Sequence, residues 1–164
     1  MAELDAPSRP RGDPAESGAG YEEDFFRWTE RQAALMRAGR TDLVDWENVA
    51  EEIESLGRRD RRAVKSRLRV LIMHLLKWRA QPQARSGSWR NTIRTQRAEL
   101  RDVLADSPSL RRVARSVPAK VYPLARTGAA DETGLELAMF AEECPFTAEQ
   151  VLDDDFWPED GPGR

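Results

Sequence analysis

The residues with the greatest chemical potential are arginines. From Arg58 to Arg101 the chain carries 14 Lys/Arg against two acids, Asp60 and Glu99. Arg58, Arg59, Arg61, Arg62, Lys65 and Arg69 crowd one end of this stretch. Arg90, Arg94, Arg97 and Arg101 then recur at spacings of 4, 3 and 4, which lines them along one side of a helix. A guanidinium presents a planar fork of donors that meets phosphate or carboxylate oxygens in pairs, so such a stripe can follow a phosphate backbone or an acidic protein surface. The candidate contacts for nucleic acid or another acidic partner are Arg58, Arg59, Arg62, Lys65, Trp89, Arg90, Arg94, Arg97 and Arg101. An internal reading competes with this one. Residues 1–57 sum to a charge of -8, residues 58–126 to +15 and residues 127–164 to -10. Acidic flanks of that size can fold back and neutralise the basic middle within one domain or across a dimer.

A second constellation is acidic. Glu47, Glu51 and Glu54 share a helix face at i, i+4 and i+7, and His74 is the chain's one histidine. Carboxylates and an inward imidazole are the raw material of a metal centre in a helical bundle, with Glu51, Glu54 and His74 as the candidate ligands. Such centres usually take a Glu-x-x-His pair from one helix, and the chain has none. The favoured reading is a solvated acidic face that pairs with arginines, with His74 hydrogen-bonded beside the core. Cys144 follows two glutamates, which disfavour a thiolate, so it reads as a structural thiol. The five tryptophans, Trp28, Trp46, Trp78, Trp89 and Trp157, read as packing anchors rather than a ligand cage. No P-loop, dinucleotide fingerprint, Ser/His/Asp set or zinc pattern occurs, and no cofactor is expected.

These residues need elements to position them, and the spacing of apolar residues predicts helices. The first spans about 21–38, with Phe25, Trp28, Gln32, Leu35 and Met36 on one face and Gly39 past its end. Asp45 caps a second, in which Trp46, Val49, Ile53 and Leu56 recur; Gly57 ends it, turns it back or bends it. A third, about 60–80, carries Val64, Leu68, Leu71, Leu75 and Trp78 at spacings of 4, 3, 4 and 3 and reads as the central core helix. Pro82 stops it. Ser88 is a cap for the next, which buries Trp89, Ile93, Gln96, Leu100, Val103 and Leu104. Ser107-Pro108 opens another that Pro118 and Pro123 should kink or split. Residues 131–134 read as a turn. The acidic C-terminal segment should wrap the bundle as extended chain and short helical turns, one of them capped by Thr147. No sustained period-two alternation predicts a strand.

The predicted fold is all-α, a single-domain bundle of about four to five helices over residues 21–157. A Pro-, Gly- and charge-rich tail over 1–20 and a second over 158–164 are expected to be disordered. One cysteine among 164 residues fits a reducing compartment, and the N-terminus shows no signal-peptide pattern. The longest apolar run, 70–76, is too short for a membrane span. A cytoplasmic protein without membrane insertion is expected.

Several blocks, in order, carry a family resemblance: YEEDFFRWTERQAALMRAG, EEIESLG, SRLRVLIMHLLKW, SWRNTIRTQR, ETGL and ECPFT. Over residues 21–157 the chain resembles the bacterial domain of unknown function 29. That resemblance implies a small all-α fold found mostly in cyanobacteria and proteobacteria. It implies no activity, cofactor or catalytic residue. The chain departs from the family pattern at Pro118 and Pro123, which bracket Tyr122 where the family has uninterrupted helix formers. The first functional expectation is a non-enzymatic interaction or regulatory protein that works through its charged helical surface, its partner a protein or itself. The second is a nucleic-acid-binding protein using Arg58–Arg101. A metal-dependent enzyme ranks third.

Overall fold

Asp45 begins the longest element by satisfying backbone donors that a helix start leaves unpaired. Its carboxylate accepts from the Asn48 backbone N–H at 3.3 Å and from the Asn48 side-chain amide at 2.7 Å. In the computed structural model, which describes residues 20–159, the helix so capped runs without interruption from Trp46 to Ala80. The described residues form six helices and no strand: α1 (Phe25–Arg37), α2 (Trp46–Ala80), α3 (Gly87–Asp106), α4 (Arg111–Ser116), α5 (Pro118–Thr133) and α6 (Ala148–Leu152). The all-α expectation holds. The tail expected over 1–20 lies, apart from Gly20, outside the described residues, as do residues 160–164 of the second. Pro158, in that second expected tail, is buried.

Gly57 neither ends α2 nor turns the chain back. A glycine inside a helix costs only about 1 kcal/mol relative to alanine, too little to outweigh good helix formers on both sides. The expected second and third helices are therefore one.

The chain divides into two compact units, Met1–Ser55 and Leu56–Arg164. In the described part of the first, Asp24 caps α1 by accepting from the Arg27 N–H at 3.0 Å. Trp28, Leu35, Val44 and Val49 form a small core, with Tyr21 packed on it. The buried Gln32 side chain accepts from the Asp45 N–H at 2.9 Å, and the Trp28 indole donates to the Asp45 carboxylate at 3.3 Å. Gly39 takes a positive φ of 70° after α1, as its place beyond the helix end predicts.

The second unit is built round the rest of α2. Val64, Leu68, Leu71, Ile72 and Leu75 are fully buried, and Leu76, Lys77 and Trp78 nearly so. Side-chain links join 67 to 99 and 77 to 89, so α3 packs antiparallel to α2. Helix α5 follows α2 in the same direction, with Gly128 against Met73 and Glu132 against Lys77. A Cβ on Gly128 would sit 2.8 Å from the Met73 sulfur, so the glycine lets the two helices approach. The cap of α3 is Ser86 rather than Ser88, its hydroxyl accepting from the Trp89 N–H at 3.2 Å. Proline splits the later region as expected, but only once. Pro118 opens α5 after α4 ends, whereas Pro123 sits inside α5 and the helix continues past it. Residues 131–133 belong to α5, and Gly134, at φ 68°, closes it. Thr147 and Gln150 form a reciprocal capping box at α6.

Candidate interaction surface

The acidic C-terminal segment does approach the arginine stripe, but chiefly through its backbone. Arg97 is 2% exposed. Its guanidinium donates to the carbonyls of Val151 at 3.0 Å, Asp154 at 3.3 Å, Gln150 at 3.5 Å and Phe156 at 2.8 Å. It thus satisfies carbonyls at and beyond the C-terminal end of α6, where a cation is electrostatically favoured. The same group lies 5.8 Å from the Trp157 ring centroid. Burial pulls its pKa below the usual guanidinium value, and Asp154, Asp153 and Asp155 oppose that shift. Two further side chains hold the irregular segment in the same manner. The Tyr122 hydroxyl donates to the Ala141 carbonyl at 2.6 Å, and Arg126 donates to the carbonyls of Phe140 and Leu137, each at 3.1 Å. An irregular strap lacks the carbonyl partners of a helix or sheet, and these donors replace them.

This corrects the expected role of Arg97. It cannot meet an external phosphate, because it is buried and its donors are already committed. The spacing contains the reason. Arg97 lies four residues after Ile93 and three before Leu100, both fully buried, so it occupies the core side of α3 rather than the edge. Arg101, one turn on, is exposed and pairs with Asp154. Arg97, Arg101 and Arg111 line an open depression of about 240 Å³ with Leu104, Ala105 and Leu152. Trp89 is half-buried and packs on the core, with the Lys77 ammonium 4.5 Å above its ring. Lys77 is itself buried and pairs with Glu132 at 2.5 Å, a contact that the sequence spacing did not reveal.

The other candidates remain at the surface. Arg58, Arg59, Arg62 and Lys65 on α2 and Arg90 and Arg94 on α3 are exposed. Arg59, Arg62, Lys65, Arg90 and Arg94, together with Arg61 and Arg69, make no ion pair among the described residues. Arg90 lies 5.6 Å from the Trp78 ring centroid. Arg58, Arg61, Arg62, Lys65 and Arg69 follow i, i+3, i+4, i+7 and i+11, which aligns them on one face of α2.

Glu51 and Glu54 are exposed and lie in the first unit, while His74 lies in the second. The Nδ1 of His74 is 2.9 Å from the Val70 carbonyl oxygen. Burial lowers its pKa, and the carboxylate that bears on it is Glu132. Among the described residues no three His, Cys, Asp or Glu side chains are gathered as a metal would require. Cys144 is half-buried with its sulfur 3.4 Å from the Phe146 carbonyl oxygen, and burial pushes its thiol pKa up, away from nucleophilic chemistry.

The first unit leaves large apolar side chains uncovered. Trp46, Ile53 and Phe26 are 54%, 65% and 69% exposed. Tyr21 donates its hydroxyl to Glu52 at 2.6 Å, and this bond raises the phenol pKa to about 12.

Fold and surface together define a small all-α protein with exposed basic helix faces and an arginine-anchored C-terminal strap. The family described as Domain of unknown function DUF29 matches residues 21–157, and the chain belongs to it. A solved structure with a similar fold is that of an alpha-helical protein of unknown function from Rhodospirillum rubrum. It is 24% identical with a TM-score of 0.51, and the match covers 85% of this chain and 93% of that one. No curated protein matches the sequence. Among the described residues no helix is long and apolar enough to cross a membrane.

Proposed function

We propose that this protein is a non-enzymatic interaction or regulatory protein of the cytoplasm that binds an acidic protein surface through the exposed basic faces of α2 and α3. One observation carries the reading. Arg59, Arg62, Lys65, Arg90 and Arg94 are exposed and make no ion pair among the described residues, although the chain is acidic overall. Guanidinium and ammonium groups not engaged by carboxylates among the described residues can meet another molecule's.

Nucleic acid is the second reading, favoured by the same residues and by the ability of arginine to fork onto phosphate. It is weakened by Arg97, which faces inward, and by Arg101, which pairs with Asp154. One titration separates the two. Labelled polyglutamate, single-stranded RNA and duplex DNA are each titrated with the protein across a salt series. The leading reading expects saturable binding to polyglutamate that weakens with salt and falls at least tenfold in the Arg59→Glu/Arg62→Glu/Lys65→Glu variant. Tighter binding to RNA or DNA, linear in log[salt] and lost on neutralising Arg90 and Arg94, would replace it with the second. Absence of binding to all three at low salt would defeat both.

A further inference from the structure

Helices α3, α4 and α6 each contribute to the open depression of about 240 Å³, and its lining combines two chemistries. Arg97 and Arg101 of α3 and Arg111 of α4 supply three cations, and no carboxylate among the described residues lines it. Leu104 and Ala105 of α3 and Leu152 of α6 supply an apolar part, and both leucines pack on the core. All six residues belong to the second unit.

The three cations are not equally engaged. Arg97 is committed to four carbonyls, which take its hydrogens and leave its charge in place. Arg101 is exposed and meets Asp154, which reaches it from the strap. Arg111 is exposed and makes no ion pair among the described residues. Asp154 shows what this site accepts, a single carboxylate. An exposed pair of that kind is weak, so a second carboxylate can compete for Arg101. The parallel N–H donors of a guanidinium match the two oxygens of such a group. Size limits the rest of the ligand. Pockets for drug-sized molecules run from about 300 to 1,000 Å³, and this depression is smaller. Its apolar lining favours hydrocarbon over further charge.

We propose that the depression binds a small aliphatic monocarboxylate, its carboxylate at Arg101 and Arg111 and its hydrocarbon chain against Leu104, Ala105 and Leu152. The bound acid takes Arg101 from Asp154, while Arg97 keeps the carbonyls of the strap in place. The site is separate from the basic faces that the proposed function uses, since Arg59, Arg62, Lys65, Arg90 and Arg94 do not line it.

The test titrates the full chain at low salt with hexanoate, hexanamide and inorganic phosphate, and follows the methyl resonances of Leu104 and Leu152. Hexanoate should shift both in a saturable manner. Hexanamide, with the same chain length and no charge, should bind at least tenfold more weakly, and so should phosphate, which has charge and no hydrocarbon. Equal binding of hexanamide would mean a merely apolar crevice, and equal binding of phosphate a general anion site; either result overturns the proposal. Arg111→Gln, at an exposed position, should keep the circular dichroism of the parent and weaken hexanoate at least tenfold. Asp154→Asn acts in the opposite direction. It removes the internal competitor for Arg101 and should tighten hexanoate by up to about fivefold. Unchanged affinity in the Arg111 variant, or weaker binding in the Asp154 variant, would contradict the assigned contacts. The Arg59→Glu/Arg62→Glu/Lys65→Glu variant should bind hexanoate like the parent while losing polyglutamate. Parallel loss of both would place the acid on the general basic surface and refute the separate site. A chain that binds polyglutamate but no hexanoate also refutes it and leaves the proposed function standing.

Discussion

The two halves of α2 carry the same kind of apolar stripe and meet opposite fates. Along 64–78 the stripe is enclosed so fully that even Lys77 is buried, held by Glu132 and lying over the Trp89 ring. Along 46–56 the stripe is mostly open, with Val49 alone buried. A helix apolar on one face needs a partner for that face, and here the second unit supplies it for only half the length. Periodicity states that a face will be covered; it does not state by what.

The largest expected effect breaks the enclosed half's surroundings. Arg97→Met should cost about 3–5 kcal/mol, because it strands the strap carbonyls of Gln150, Val151, Asp154 and Phe156 that its guanidinium meets. The measurement is the denaturant midpoint, with Arg101→Met as the control. That exposed pair with Asp154 should be worth about 0–1 kcal/mol. Equal losses in the two variants would mean that the strap is held by charge and not by carbonyl satisfaction.

The second effect sets one half of α2 against the other directly. Leu71→Ala, at a fully buried position, should cost about 2–5 kcal/mol. Ile53→Ala, 65% exposed, should change stability by within about 0.5 kcal/mol. Similar losses in both would erase the distinction.

Gly57 lies at the join, and a Cβ there meets nothing within 4 Å. Gly57→Ala should therefore raise the unfolding free energy by about 0.5–1 kcal/mol with no loss of helicity. Destabilisation would show that α2 needs a bend there.

Much of this contrast was legible in the sequence, and its limits are instructive. Val64, Leu68, Leu71, Leu75 and Trp78 announced the core helix by spacing, and all are buried. Asp45 and Thr147 announced helix starts through their ability to accept from backbone N–H groups. Gly57 was ambiguous because its cost is comparable to the modest propensity differences around it. Arg97 was misread because a regular arginine stripe drew attention from the flanking Ile93 and Leu100, which place it on the core side. The acid–base segregation was real, yet counting charges predicted neutralisation by carboxylates. Arg97 instead takes backbone carbonyls, which no composition reveals. The buried Lys77 was not legible, since its burial depends on α3 and α5 arriving together at one end of α2.

The smallest effect lies in the first unit and depends on pH. The bond from Tyr21 to Glu52 raises the folded phenol pKa to about 12, from an ordinary tyrosine value of about 10. A group that holds its proton more tightly when folded contributes stability that is whole below the unfolded value of about 10 and is lost as pH rises through about 12. Phenolate absorbance should show one of the two tyrosines titrating near 12 through this contact, and Glu52→Gln should lower its midpoint. An unchanged midpoint would mean that the hydrogen bond to Glu52 is not its cause.

Amide hydrogen exchange along α2 tests the central contrast most directly. Residues 64–78 should exchange slowly, because their apolar face is enclosed by the same chain. Residues 46–57 should exchange faster, because Trp46, Ile53 and Leu56 are left open. Equal protection of the two stretches would contradict the account.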